Sequence, residues 1–346
     1  MPSHSRMPLA AKVASRLQSA AQALGTANPV PPVSRLLNST FYLPEGDPRY
    51  GHNALTPMAA PFEPSFSELQ PNVLRFTIEP LGPDASGIDR RDESTREMRR
   101  LIGEHFGREA LRWFDERSEA WRGFGSGANL NYGAFFGTTN DREGLAATKV
   151  YYETGQGQLA ALPPGLLGIV RTVTSLMPNL RPLFTTLSAM RSEGGQRLTF
   201  AQPSAIRLSD FQPLLDALGL GDRMPGILQT LGLTLGGRFD LPANSCLVAF
   251  GQDAMGFPEF ELYVMLGMIP DLPDNFLQLL SLGLNERPRE LVALERWLGA
   301  FTPADDVWPG RFSILSLRTG RASPPRISLY LRPAEFELPM RVLEAA

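Results

Sequence analysis

Five pairs of alternating apolar and polar stretches recur at intervals of roughly 50 to 70 residues, and this spacing constrains the fold of the 346-residue chain more than any other feature. They fall near 61–67 with 73–80, 127–136 with 146–153, 196–201 with 204–208, 244–251 with 259–267, and 311–318 with 325–332. The segments between them read as helix pairs. The first pair is "STREMRRLIGEHFG" (94–107), opened by a Ser94-x-x-Glu97 capping box, and "REALRWFDERSEAWR" (108–122). Later come "GLLGIVRTVTSLM" with "PLFTTLSAM", "DFQPLLDALGL" with "MPGILQTLGL", and "PDNFLQLLSLGL" with "RELVALERWLGAF". The order helix, helix, strand, strand thus appears about five times, the third hairpin being the shortest and carrying Pro203 at its turn.

Each strand has two unlike faces. In "VLRFTIEP" Leu74, Phe76 and Ile78 oppose Arg75, Thr77 and Glu79; in "FELYVML" Phe260, Leu262, Val264 and Leu266 oppose Glu261, Tyr263 and Met265. In "RISLYLR" Ile327, Leu329 and Leu331 oppose Arg326, Ser328, Tyr330 and Arg332. An open antiparallel sheet would show its polar face to water. Apolar helices covering the other face allow the sheet to close, with the polar and aromatic face inside. The expected class is therefore α+β: a ten-stranded antiparallel β-barrel ringed by helices, enclosing a wet chamber.

Composition narrows the function. Apolar residues make up 43% and charged residues 20%, the profile of a soluble globular protein. A net charge of −3 argues against a general nucleic-acid binder, so any anion site must be a local cluster. No stretch approaches the roughly 18 apolar residues of a membrane span, and the single Cys246 permits no internal disulfide, which suits a reducing, cytoplasmic setting. Residues 1–44 hold no acidic side chain and read as a helical segment packing on a barrel domain of residues 45–346; an amphipathic targeting helix is the other reading of "LAAKVASRLQSAAQALG". The glycine-rich "GFGSGAN" (123–129) lacks a following Walker lysine, and His4, His52 and His105 are too scattered for a triad or metal site. "DRRDE" (89–93) and "ADDVW" (304–308) lack the spacing of an Asp-Asp-x-x-Asp magnesium motif.

Of 33 cationic side chains only Lys12 and Lys149 are lysines, and Lys149 lies inside the strand "ATKVYYE". Alternation puts Lys149 and Tyr151 on one face and Val150 and Tyr152 on the other. Collecting the same-face residues gives Arg75, Lys149, Tyr151, Arg207, Tyr263, Arg318, Arg326 and Tyr330, drawn from all five hairpins. Cations converging on one chamber repel each other unless a polyanion sits among them, and diphosphate suits guanidinium forks and a lysine point charge. Tyrosine faces stabilise a cation and exclude water, so the diphosphate whose departure leaves a carbocation is an allylic one.

The stretch "APFEPSFSELQPNVLRFTIEPLGPDASG" (60–87) resembles the opening hairpin of the dimethylallyltryptophan synthase family of indole prenyltransferases. The shared marks are Pro61-Phe62-Glu63-Pro64-Ser65 and, a dozen residues on, Arg75-Phe76-Thr77-Ile78-Glu79-Pro80. "KVYYE" is similar to the family's Lys-x-Tyr strand, and "FELYVML" and "RISLYLRP" to its later tyrosine-bearing strands. The resemblance implies the αα-ββ barrel and prenyl transfer to tryptophan or a tryptophan-derived natural product, in secondary metabolism such as alkaloid biosynthesis. It implies Glu63 as acceptor of the indole N–H, Arg75, Lys149, Arg207, Arg318 and Arg326 on the diphosphate, and Tyr151, Tyr263 and Tyr330 as the shield of the allyl cation. The co-substrate would be dimethylallyl diphosphate or a longer relative, with no metal cofactor, no nucleic-acid or membrane partner, and a monomer or homodimer. Two positions depart from the pattern: "AIRLSDF" offers Arg207 with Ser209 in place of Lys-x-Tyr, with Arg197 in "QRLTFA" competing for that cation, and Glu261 stands where the family tends to have a neutral amide. A phenol or peptide acceptor, or a barrel that binds a hydrophobic ligand without catalysis, are the rival readings. Phe135, Met265 and Trp308 are candidates for setting the chamber's size.

Overall fold

The computed structural model describes residues 8–123, 130–192 and 194–338. Among them the chain runs through α1 (Leu9–Leu24) and α2 (Val30–Thr40) into the hairpin β1 (Phe62–Ser67) and β2 (Leu74–Ile78). Helices α3 (Gly87–His105) and α4 (Arg108–Arg122) lead to β3 (Ala134–Asp141) and β4 (Gly144–Glu153). Then α5 (Pro164–Leu176) precedes β5 (Arg181–Met190) and β6 (Gly194–Gln202). A short strand β7 (Ile206–Arg207), α6 (Gln212–Ala217), α7 (Met224–Thr234) and β8 (Asp240–Leu241) precede β9 (Cys246–Gln252) and β10 (Pro258–Met265). Helices α8 (Phe276–Gly283) and α9 (Pro288–Phe301) lead to β11 (Gly310–Gly320) and β12 (Arg326–Pro333). Ten strands close into one antiparallel barrel in the order β1-β12-β11-β10-β9-β6-β5-β4-β3-β2.

The apolar face of every hairpin points outward against helices. Phe62, Phe66, Phe76, Phe136, Phe200, Phe250, Phe260 and Leu317 are fully buried there, and Trp297 of α9 packs on Phe66 with ring centroids 6.2 Å apart. Burial of each such side chain stabilises the fold by about 1.5–3 kcal/mol, so the core lies between barrel and helices, and the barrel interior is left for polar groups. Tyr152 belongs to this outer layer, its hydroxyl 2.7 Å from Thr95 of α3, whereas Tyr151 faces inward.

Three elements differ from the sequence reading. "PLFTTLSAM" is strand β5 rather than a second helix, where the β-branched Thr185 and Thr186 suit the pleated strand that pairs with β4 and β6. The third hairpin is therefore β5 with β6, and β7 pairs with β8 in a separate two-stranded sheet outside the barrel. The predicted strand 127–136 is displaced to 134–141, its hairpin reversing where Asp141 Oδ1 accepts from the Glu143 N–H at 2.8 Å; residues 124–129 of that stretch and of the glycine-rich segment lie outside the described residues, as does His4. Helix α3 starts about two turns early, because Ser86 and Asp89 form the capping box. Ser94 and Glu97 are consequently buried inside it, Glu97 pairing with Arg35 and Arg100. His105 ends α3, exposed. No helix of the described residues is long and apolar enough to cross a membrane.

Candidate active site

Strand register brings the inward side chains together. Arg75 of β2 lies opposite Ser65 and Thr139, and Ser65 opposite Tyr330 of β12. Lys149 of β4 lies opposite Gly137 and Ser188, and Tyr151 opposite Phe135 and Thr186. A Cβ on Gly137 would stand 3.3 Å from Thr77 Oγ1 and 3.6 Å from the Tyr151 ring, so glycine there keeps the chamber open beside the lysine. A cavity of about 30 Å³ is lined by Ser65, Arg75, Thr77, Gly137, Thr139, Lys149, Tyr151 and Tyr330. Tyr263 completes the aromatic set, its ring 6.3 Å from that of Tyr330.

The opposite wall is charged in both signs. Arg197 of β6 reaches across β9 at Gly251, where a Cβ would stand 2.7 Å from Arg197 Cγ, and so meets two carboxylates of β10. It donates to Glu259 at 2.6 Å and pairs closely with Glu261. Arg318 of β11 donates to both oxygens of Glu259 at 2.7 and 2.6 Å, and Ser316 donates to Glu261 at 2.8 Å. Burial pushes both carboxyls up, but Arg197 and Arg318 outweigh it and hold them below the usual glutamate range.

Lys149 has no such relief. Burial, reinforced by Arg75, Arg318 and Arg197 and opposed by Glu261, lowers its pKa to about 7. Arg75 donates to the Phe66 carbonyl at 3.0 Å, while its buried Nε finds no partner among the described residues. Burial also raises Tyr151, Tyr263 and Tyr330, so all three stay protonated and present neutral rings.

Glu63 lies on β1 in register with Thr77, 3% exposed. Burial raises its pKa to about 7, against the hydrogen bond that Ser313 donates at 2.7 Å and the charge of Arg332. Phe135 stacks on Tyr132 with centroids 4.4 Å apart, Met265 lies half-buried opposite Ile314, and Trp308 is exposed with its ring edge on Phe312.

Thus Arg75, Lys149, Tyr151, Tyr263, Arg318 and Tyr330 share the chamber, and Glu63 opens onto it, while two expected cations do not join them. Arg207 sits on β7 outside the barrel, its side chain 73% exposed and paired with Asp240, because the third hairpin uses β5 in its place. Arg197 supplies the cation instead. Arg326 is in register with Arg318, but its guanidinium turns 3.6 Å from Glu68 at the end of the barrel, where Glu68 also accepts from Arg287 and the Ile327 N–H. Sequence reasoning missed Glu259, although it shares the parity of Glu261 and Tyr263, and it missed Ser313. A groove of about 880 Å³ lies apart from the chamber, between α1 and the chain after β12. Among the described residues its one lining cation, Lys12, is paired with Glu45. Among the described residues no group of three or more His, Cys, Asp or Glu side chains is placed to hold a metal ion.

No protein-family model matches the sequence, and no curated protein sequence does. In three dimensions the chain is similar to a 5-dimethylallyltryptophan synthase from Streptomyces coelicolor, with TM-score 0.73 at 18% identity over 97% of this chain and 100% of that one. It is also similar to a 6-dimethylallyl tryptophan synthase (TM-score 0.75, 14% identity, 96% and 98% covered). A third similar structure is the 6-dimethylallyltryptophan synthase from Micromonospora olivasterospora in complex with DMASPP and Trp (TM-score 0.70, 16% identity, 96% and 99% covered). The chain therefore has the αα-ββ barrel fold of the dimethylallyltryptophan synthases, and at these identities the similarity establishes the fold.

Proposed function

We propose that the protein is an aromatic prenyltransferase that moves an allylic group from its diphosphate to the indole ring of tryptophan or a tryptophan-derived compound. The observation that carries this reading is the convergence of Arg75, Lys149, Arg197 and Arg318 with Tyr151, Tyr263 and Tyr330 inside one closed barrel. The cations neutralise the departing diphosphate as the C–O bond breaks and the electron pair leaves with it. The tyrosine faces stabilise the allyl cation by about 0.5–2 kcal/mol each and keep water from capturing it. Glu63 accepts the indole N–H, fixing the ring and enriching it in electrons. A ring carbon then attacks the cation, and the proton on that carbon passes to the released diphosphate or to water, restoring aromaticity. The three-dimensional similarity to a barrel in complex with DMASPP and Trp supports the choice of co-substrate and acceptor.

The test is incubation with dimethylallyl diphosphate and a panel of indoles and phenols, following products by mass. Gain of one prenyl group on an indole is the expected result. Turnover of phenols alone would overturn the indole assignment, and absence of diphosphate release with every acceptor and longer donor would leave a barrel that only binds. The scheme assigns charge neutralisation to side chains, so a chelator is expected to leave turnover unchanged; dependence on a divalent ion would reassign that role.

A further inference from the structure

Strand β11 is regular except at one place. Its register with β12 passes from Phe312 opposite Leu331 to Ile314 opposite Tyr330, which leaves Ser313 as an extra, unpaired residue. Uninterrupted alternation would send residue 313 outward with Leu315 and Leu317, both fully buried in the outer core. A bulge re-aims a side chain, and here it turns the hydroxyl toward the chamber. Ser313 Oγ then reaches past β12 to β1 and donates to Glu63 Oε1 at 2.7 Å. Among the described residues Oε2 carries no hydrogen bond. The other charged or titratable groups facing this carboxyl are Arg332 and Tyr330 of β12 and Tyr151 of β4.

We propose that Ser313 is the positioning residue for Glu63: its hydroxyl holds one carboxylate oxygen so that the other is presented to the N–H of the acceptor ring. This rests on the reading of Glu63 given above. A donated hydrogen bond fixes the carboxyl plane and favours its ionised, accepting form over the protonated one. A serine on a bulge suits this task, because the bulge supplies the direction and the short side chain leaves few rotamers.

The experiment compares wild type with S313A, S313T and E63Q. The carboxyl stretch of Glu63, isolated as the infrared difference from E63Q and followed against pH in the resting protein, reports its titration without any substrate. S313A is expected to shift that titration upward, and S313T, which keeps the hydroxyl, to restore it. In turnover, S313A is expected to raise KM for an indole about tenfold with a smaller change in kcat, and to leave the N-methylated indole unaffected. If E63Q leaves indole turnover intact, both the role of Glu63 and this proposal fall. If E63Q impairs turnover while S313A moves neither the titration nor the discrimination between N–H and N-methyl acceptors, only the proposal for Ser313 is overturned.

Discussion

The two walls of the chamber carry equal numbers of cations in opposite states. On the β2–β4 side, Arg75 and Lys149 form no ion pair among the described residues, and the lysine's pKa is depressed to about 7. On the β6–β10–β11 side, Arg197 and Arg318 are gripped by Glu259 and Glu261. The first wall is held at a cost to folding and has an unmet need for an anion; the second is satisfied within the fold. A bound diphosphate would complete the first wall directly. At the second it must take the place of a carboxylate at each guanidinium, so the glutamates act as a resident competitor for the leaving group.

The largest effects should separate the walls by stability. Lys149→Met is expected to lower kcat/KM by ~10²–10³-fold, the usual loss when one group aimed at developing charge is removed, while raising the melting temperature, because it deletes a buried cation without a partner. Arg197→Met removes the partner of two buried carboxylates and is expected to destabilise the fold by ~3–5 kcal/mol. Calorimetric melting of both variants checks this. Destabilisation by Lys149→Met would show that the two walls are not different in kind.

Glu261→Gln tests the competition itself. Removing one negative charge next to Arg197 leaves that arginine less fully satisfied. At an effective dielectric constant near 20, such a charge is worth a few kcal/mol, so inorganic diphosphate should bind about 10- to 100-fold more tightly. Titration calorimetry measures it. Weaker binding would mean instead that the carboxylates hold the guanidiniums in the geometry the anion needs.

What the sequence made legible follows from alternation. Lys149 and Tyr151 could be placed inward because Val150 and Tyr152 between and beyond them are apolar or packed on α3, and the same parity placed Arg75, Tyr263, Arg318 and Tyr330. Parity fails where it has no length to act on or where the strand is misassigned. Arg207 belongs to a two-residue strand, and Thr-rich β5 reads equally as a short helix until its register is seen. Parity also says nothing of where a long side chain ends. Arg326 has the inward parity of Tyr330, but Glu68, which lies in the first hairpin and leaves no mark in "RISLYLR", draws its guanidinium to the barrel's end. Ser313 was hidden for the opposite reason: a single bulge inverts its direction against the surrounding pattern.

The smallest expected effect is in pH, and its sign distinguishes the walls once more. With Lys149 titrating at about 7, its charge is present below that pH and fades above it, so the β2–β4 wall should lose attraction for an anion through neutrality. Arg197, held charged by Glu261 and Glu259 against its burial, and the ionised Glu259 and Glu261 stay unchanged over the same window. The affinity for inorganic diphosphate should therefore fall by less than about tenfold between roughly pH 6 and pH 8, with uptake of a proton on binding near the upper end. Folding carries the mirror image. Between about 7 and the unfolded lysine's 10.5 the unfolded chain binds the extra proton, so stability contributed by Lys149 rises with pH across that range. Lys149→Met should remove the Lys149 part of both slopes, whereas Glu261→Gln, which takes away the carboxylate opposing the depression of Lys149, should keep both but move them to lower pH at a tighter overall affinity. Calorimetry in buffers of different ionisation enthalpy would detect the proton, and an unaltered slope in Lys149→Met would move the titrating group away from the unpaired wall.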